Sequence, residues 1–482
     1  MVVFSIKAGF LVSGILAVTS AFTEQEAVRL ALKANPDIKI SSITLRRDSL
    51  ELEKARDEGS LQAILTGDKL LKVNPRTSLS YGETEETRST VETALGADLS
   101  RQVTGGGSIK ASAESRGRRD LDSSESVYSA TAALTVTQPL LKDAWSNAPV
   151  DHQIELEKKN LRISFESFKN NMLDILSRVR DSYLDWLSAV NAVEIRKAEL
   201  EYTRNSLEYE KARFQLGEKA EMDTLTAALE FLRARENFMS AEYEQRTAKK
   251  RFALELGIEK ENLPELSDAA IQINPIPSAE DIMAKVRENH FQLRVLDITR
   301  ESLLLQKKKH QNALLPRVDV SAGITATRTG DGMFSSGAAT ATEPDITDPW
   351  IGITFSYDLL SRRDRRLKKQ AELSLMSNEI EKENLIREQT VAVAEFVDAW
   401  AEDSAKLDIR SAEADIAEKN FSYAVERYKL GEIDNLARLK ARSDLINARL
   451  NKLFAEVNLK RLEIAVDRAA ASVLDRFGVK LK

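Results

Sequence analysis

The sequence predicts a mainly α-helical chain with a smaller β component: long antiparallel coiled-coil hairpins carrying β-hairpins, built twice over. Three observations predict it. One motif recurs at a fixed offset, two very long segments are almost free of Gly and Pro, and shorter segments alternate apolar and polar residues.

The duplication divides the chain. ARFQLGE (Ala212–Glu218) returns as ERYKLGE (Glu426–Glu432), 214 residues on. The same offset pairs Val179 with Val393, Trp186 with Trp400, Tyr209 with Tyr423 and Asn237 with Asn451. Ala234-Arg235 and Ala241-Glu242 likewise recur as Ala448-Arg449 and Ala455-Glu456. The fronts of the halves match more weakly, ALKANP (Ala31–Pro36) against KVRENH (Lys285–His290), at an offset of 254. The first repeat therefore spans 22–256 and the second 279–474, joined by a linker, 257–278, with three prolines and followed by a tail, 475–482.

Each repeat reads helix, strands, long helix, return helix. Glu24–Lys33 begins the first, and Asp37 to about Lys72 continues as a helix loosened by Gly59 and Gly67 and ended by Pro75. The period then changes to two across a β segment at 75–140, with strands at Thr77–Tyr81, Val91–Val103, Ser108–Ser115 and Val127–Val136. Counting both repeats, four strands or six per chain fit the sequence. A long helix occupies 147–215. Its apolar residues (Phe168, Met172, Ile175, Val179, then Trp186 and Val190) recur at coiled-coil spacing, and it would be roughly 100 Å long. Gly217 caps it, and a return helix fills 220–256. The second repeat has a shorter β segment, 316–358, a long helix at 362–429 ended by Gly431, and a return helix at 433–474.

Composition agrees. Charged residues are 30%, while the chain has only 19 Gly and 10 Pro. The net charge of −6 argues against a globally basic nucleic-acid binder, and the absence of Cys excludes disulfides, thiolate metal sites and cysteine nucleophiles. Residues 1–21 read as an export signal: Lys7, an apolar core Ala8–Val18, then Thr19-Ser20-Ala21.

The strands approach the length that crosses a bilayer, about 9–11 residues. Four or six strands leave open edges, which lipid does not tolerate, and the smallest membrane barrels have about 8 strands. If the strands enter a membrane, several chains share one barrel. The alternative is a secreted coiled-coil structural protein with a small soluble β cap.

The duplicated R-[FY]-x-L-G-E, the downstream A-R-x-N-x-x-x-A-E, Asn35-Pro36, the prolines before the strands (Pro75, Pro316) and Gln138-Pro139-Leu140-Leu141 resemble, in their order, the TolC-like outer-membrane efflux family. The resemblance covers about Thr23 to Leu474. It implies a homotrimer whose hairpins form one barrel in outer-membrane lipid and whose helices reach through the periplasm. It also implies a periplasmic adaptor and an inner-membrane transporter as partners, and passive transport of drugs or secreted proteins. In the family the helical turns, here Gly217 and Gly431, form a constricted aperture, closed by a link that maps onto Tyr428 and Asp223. Ile433 replaces the family's second polar anchor, with Met222 as its partner position. Ala437 and Lys440 stand where an acidic ring lies, so the resemblance implies a less acidic constriction, with Arg438 and Lys440 nearby.

Other candidates are weaker. Thr104-Gly-Gly-Gly107 lacks the Lys-Ser/Thr of a phosphate loop. His152, His290 and His310 are scattered, so no metal or cofactor is expected, and no acid/base pair stands out to suggest an enzyme. Trp145 and Trp350 flank the expected strand ends, where interfacial aromatics favour a bilayer boundary. The run RRDRRLKK (Arg362–Lys369) reads as a charged helix start near the barrel rim rather than a nucleic-acid site.

Overall fold

The computed structural model describes residues 22–75, 87–103, 105–120, 126–218, 220–264, 266, 270–330, 332, 340 and 343–478. The expected export signal and the Thr77–Tyr81 strand lie outside them. The chain divides into two compact units. One is formed by the segments 45–165 and 295–381, the other by the segments up to 44, 166–294 and from 382 onward.

The first unit contains one six-stranded antiparallel sheet, with β1 Gln62–Pro75, β2 Thr87–Gln102, β3 Ser108–Asp120, β4 Ser126–Pro139, β5 Arg317–Gly330 and β6 Ile346–Ser356. The strands lie side by side in chain order, so β4 and β5 join the two repeats in one sheet. Among the described residues β1 and β6 are its outer strands. Strand pairing is one-to-one, and alternate residues therefore share a face. One face carries Leu65, Leu99, Ile109, Leu134, Ile324 and Ile353, each at least 40% exposed. The other carries Asp98, Lys110, Glu114, Thr131, Ser321 and Thr325. There Lys110 pairs with Asp98 at 3.2 Å and the hydroxyls of Thr137 and Ser321 meet at 3.0 Å.

β1 corrects an expectation. The helix expected to run to about Lys72 ends at Asp57, and Gln62–Pro75 is a strand. The doublet Ile64-Leu65 places one apolar side chain on each face and fits a helix as well as a strand, so local pattern does not decide. A fourteen-residue ladder with β2, from Gln62↔Ser100 to Pro75↔Thr87, does. The first β segment thus begins at Gln62 rather than at 75, and among the described residues the sheet has six strands, four from the first repeat and two from the second.

Among the described residues the α-helices are α1 Glu24–Ala34, α2 Pro36–Asp57, α3 Pro149–Gln215, α4 Glu221–Leu256, α5 Ala279–Asn289, α6 Phe291–Ala313, α7 Arg362–Lys429, α8 Asn435–Ala469 and α9 Val473–Arg476. Among the described residues no helix is long and apolar enough to cross a membrane. Asn35 sets the α1–α2 corner. Its Oδ1 accepts from the backbone N–H of Asp37 and Ile38, and its Nδ2 donates to the Glu255 carbonyl at 2.6 Å. The return helix expected to reach 474 breaks at Ala471, whose φ of 51° is left-handed, and the Ser472 N–H closes the turn onto the Asp467 carbonyl.

In the helical unit the expected seam of α3 is buried at Met172, Ile175, Val179, Trp186 and Val190. Trp186 stacks on Phe252 of α4 at 5.4 Å, and Leu184 packs with Leu453, Val457 and Ile464 of α8. A buried charge network adds to this core. Arg180 donates to Glu24 and, at 3.0 Å, to Asp467; Arg476 bonds Glu463 at 2.7 Å, and Lys460 bonds Glu463 at 3.0 Å.

Candidate functional site

The α3–α4 and α7–α8 turns are built alike, and their geometry explains the repeated motif. Gly217 (φ 76°) and Gly431 (φ 77°) occupy the left-handed region. The Glu218 N–H then reaches the Arg213 carbonyl at 3.0 Å, and the Glu432 N–H the Arg427 carbonyl at 2.9 Å. Side chains repeat the bridge: Arg213 pairs with Glu218 at 3.0 Å and Arg427 with Glu432 at 3.1 Å. Leu216 and Leu430 project into solvent, each 74% exposed.

Behind these turns the seam of α3 becomes polar, with Thr203, Ser206 and Glu210 buried where apolar residues stood before. Glu210 is fully buried. Its Oε1 accepts from the Tyr428 hydroxyl at 2.5 Å and from Arg438 Nη2 at 3.4 Å. Arg438 Nη2 also donates to Ser206 Oγ and to Asn435 Oδ1, both at 2.6 Å, and the guanidinium lies 4.2 Å from the centre of the Tyr428 ring. One turn along α8, Arg442 lies 4.7 Å from the Tyr202 ring and 5.0 Å from the Phe421 ring and donates to the Ala198 carbonyl at 3.1 Å. The cluster ties the end of α3 to the end of α7 and the start of α8.

Burial governs its electrostatics. Desolvation, and then the Glu210 carboxylate, push the Tyr428 hydroxyl well above the usual tyrosine range. Burial also raises Tyr202, against the pull of Arg438 and Arg442, and lowers Arg442. Removing one member of such a buried pair strands the other's charge, at about 3–5 kcal/mol. The cluster holds α3, α7 and α8 together.

Tyr428 is therefore central, but its hydroxyl bonds Glu210 rather than Asp223. Asp223 lies in the first turn of α4, partly exposed. Ile433 is partly exposed, and Gly217, Gly431, Ala437 and Lys440 are exposed around the turns. Arg438, expected beside Lys440 as a constriction charge, is instead 6% exposed and paired. Sequence reading missed Glu210 and Ser206; the available signal was a carboxylate and small polar residues inside a heptad seam. Trp145 is 63% exposed just after β4. Trp350 differs from expectation. β6 begins at Ile346, so Trp350 lies inside the strand, paired with Gly323 on the polar face rather than beside the apolar band. His152 and His290 are pulled below the usual histidine value by burial, and among the described residues no three potential ligands converge.

One exposed apolar sheet face, with β1 and β6 as outer strands among the described residues, together with duplicated helical hairpins, fits a membrane-channel chain. The chain belongs to the outer membrane efflux protein family, whose pattern matches residues 85–257 and 282–472. Among curated proteins none matches by sequence. Among solved structures it is similar to CusC, with a TM-score of 0.69 and 14% identity over 96% of this chain and 95% of that one. VceC of Vibrio cholerae gives a TM-score of 0.66 and 14% identity over 93% and 95% of the two chains. CmeC of Campylobacter jejuni, described as an outer membrane channel, gives 0.67 and 13% over 98% and 95%. At these identities the likeness is one of fold.

Proposed function

We propose that the protein is the outer-membrane exit duct of a tripartite efflux or type I secretion assembly. Its single carrying observation is the sheet: one apolar face, with β1 and β6 as unpaired outer strands among the described residues. In lipid those edges need partners, and further copies of the same sheet supply them. Three copies with six strands each close a barrel of eighteen. The duct performs no chemistry. An inner-membrane transporter supplies the energy, and a periplasmic adaptor meets the exposed turns at Gly217 and Gly431. The gate lies at these turns, with Tyr428 holding it from behind and Asp223, Ile433, Ala437 and Lys440 bordering the opening.

Native mass and membrane fractionation of the detergent-extracted protein test this reading. A heat-sensitive trimer from the outer-membrane fraction is expected. A soluble monomer or dimer overturns it in favour of a coiled-coil protein with a β cap.

A further inference from the structure

The end of the sheet where its helices attach carries two bands. The first is apolar: Leu140, Leu141 and Trp145 after β4, Leu315 before β5, and Leu359 and Leu360 after β6 are all exposed, the last two at 76% each. The second is basic. α6 closes with Lys307, Lys308 and Lys309, and α7 opens with Arg362, Arg363, Arg365, Arg366, Lys368 and Lys369. β5 begins at Arg317, which pairs with Ser356 at the end of β6, so both runs adjoin the same end of the sheet. An ion pair between Lys307 and Glu372 at 3.4 Å holds α6 beside α7.

Intramolecular pairing does not account for the basic band. Glu372 takes Lys307 and Lys369, but Arg362, Arg363, Arg365, Arg366 and Lys368 form no ion pair among the described residues. The four arginines are exposed. Helix stability does not account for it either, because cations in a first turn oppose the helix dipole and Asp364 is the single acidic residue there. At about 100° per residue the six cations surround the helix axis, so one packing surface cannot cover them all.

We propose that this band binds the phosphate groups of anionic phospholipids in the leaflet facing the helices, with the exposed leucines and Trp145 at the boundary between headgroups and acyl chains. The proposal rests on the duct reading. Continuity with the apolar strand face supplies the lipid contact, and the unpaired guanidiniums supply bidentate phosphate recognition.

The test uses the detergent-extracted oligomer and native mass spectrometry after incubation with phosphatidylglycerol or phosphatidylcholine. The wild type is expected to retain phosphatidylglycerol about tenfold more than phosphatidylcholine, a preference that shrinks in high salt. R362Q/R363Q/R365Q/R366Q is expected to lose the preference, and the matching four Arg→Lys changes to keep most of it. Equal retention of both lipids by the wild type, or undiminished preference in the glutamine variant, overturns the proposal. The salt series needs no variant, so a variant that fails to assemble leaves the result decisive. If the wild type is oligomeric and membrane-borne but shows no preference, only this proposal falls; if it is neither, the duct reading falls with it.

Discussion

Tyr428 and Arg438 reach the same atom: the tyrosine hydroxyl and the guanidinium both donate to Glu210 Oε1, while the guanidinium covers the tyrosine ring at 4.2 Å. Each of the three groups is thus held by the other two, in a site without bulk water to replace a lost partner. That arrangement makes the contributions separable by substitution.

Tyr428→Phe keeps the ring under Arg438 and removes only the hydrogen bond to a buried carboxylate, worth about 1.5–3 kcal/mol. More frequent or larger openings in planar bilayers are expected. Conductance identical to the wild type would show that this bond does not restrain the gate.

Glu210→Gln and Arg438→Gln each leave an uncompensated buried charge, costing about 3–5 kcal/mol. The double variant removes both charges. Its melting midpoint should fall by clearly less than the sum of the two single shifts. Strict additivity would mean that the two side chains do not interact.

Two glycines should respond differently to alanine. Gly217 has nothing within 4 Å of an added Cβ, so Gly217→Ala meets only left-handed backbone strain, about 1–2 kcal/mol. At Gly106 (φ 83°) the same Cβ would lie 2.2 Å from the Asp143 carbonyl oxygen. Gly106→Ala should therefore melt markedly lower than Gly217→Ala, and equal midpoints would contradict the geometry.

Asp181 in α3 is raised from 3.8 to about 6, chiefly by burial and also by Asp185, against the pull of Arg461. Between these values the folded chain holds a proton that the unfolded chain has released. Stability therefore declines as pH rises through that window, and the full penalty is present above about 6. Asp181→Asn should raise the melting temperature at neutral pH and lose that advantage below the unfolded value. A gain that is the same at both extremes would rule out titration as its cause.

Long-period features were legible in the sequence: the buried seam at Met172, Val179 and Trp186, and the glycines at both turns, because heptads and C-caps are local signals. β1 was not, because Ile64-Leu65 and the Leu70-Leu71 doublet suit either period and pairing with a strand some thirty residues away decides the outcome. The facing of Trp350 depended on where β6 starts, and moving that boundary changed the residue's surroundings. The Glu210–Arg438 contact spans 228 residues. A buried carboxylate in a seam announces that it needs a partner but does not say which one.

The duplication does not extend to this cluster. The offset of 214 carries Glu210 to Ala424, Tyr428 to Phe214, Arg438 to Thr224 and Arg442 to Ala228. In a ring of three such chains, the junctions inside each chain would be riveted by the Glu210–Arg438 pair, while the equivalent junctions from α7 of one chain to α3 and α4 of the next would hold small or apolar residues at the positions of Glu210, Tyr428, Arg438 and Arg442. A ring nearly sixfold in backbone would then be threefold in strength, dilating first along the three joints that lack the buried ion pair.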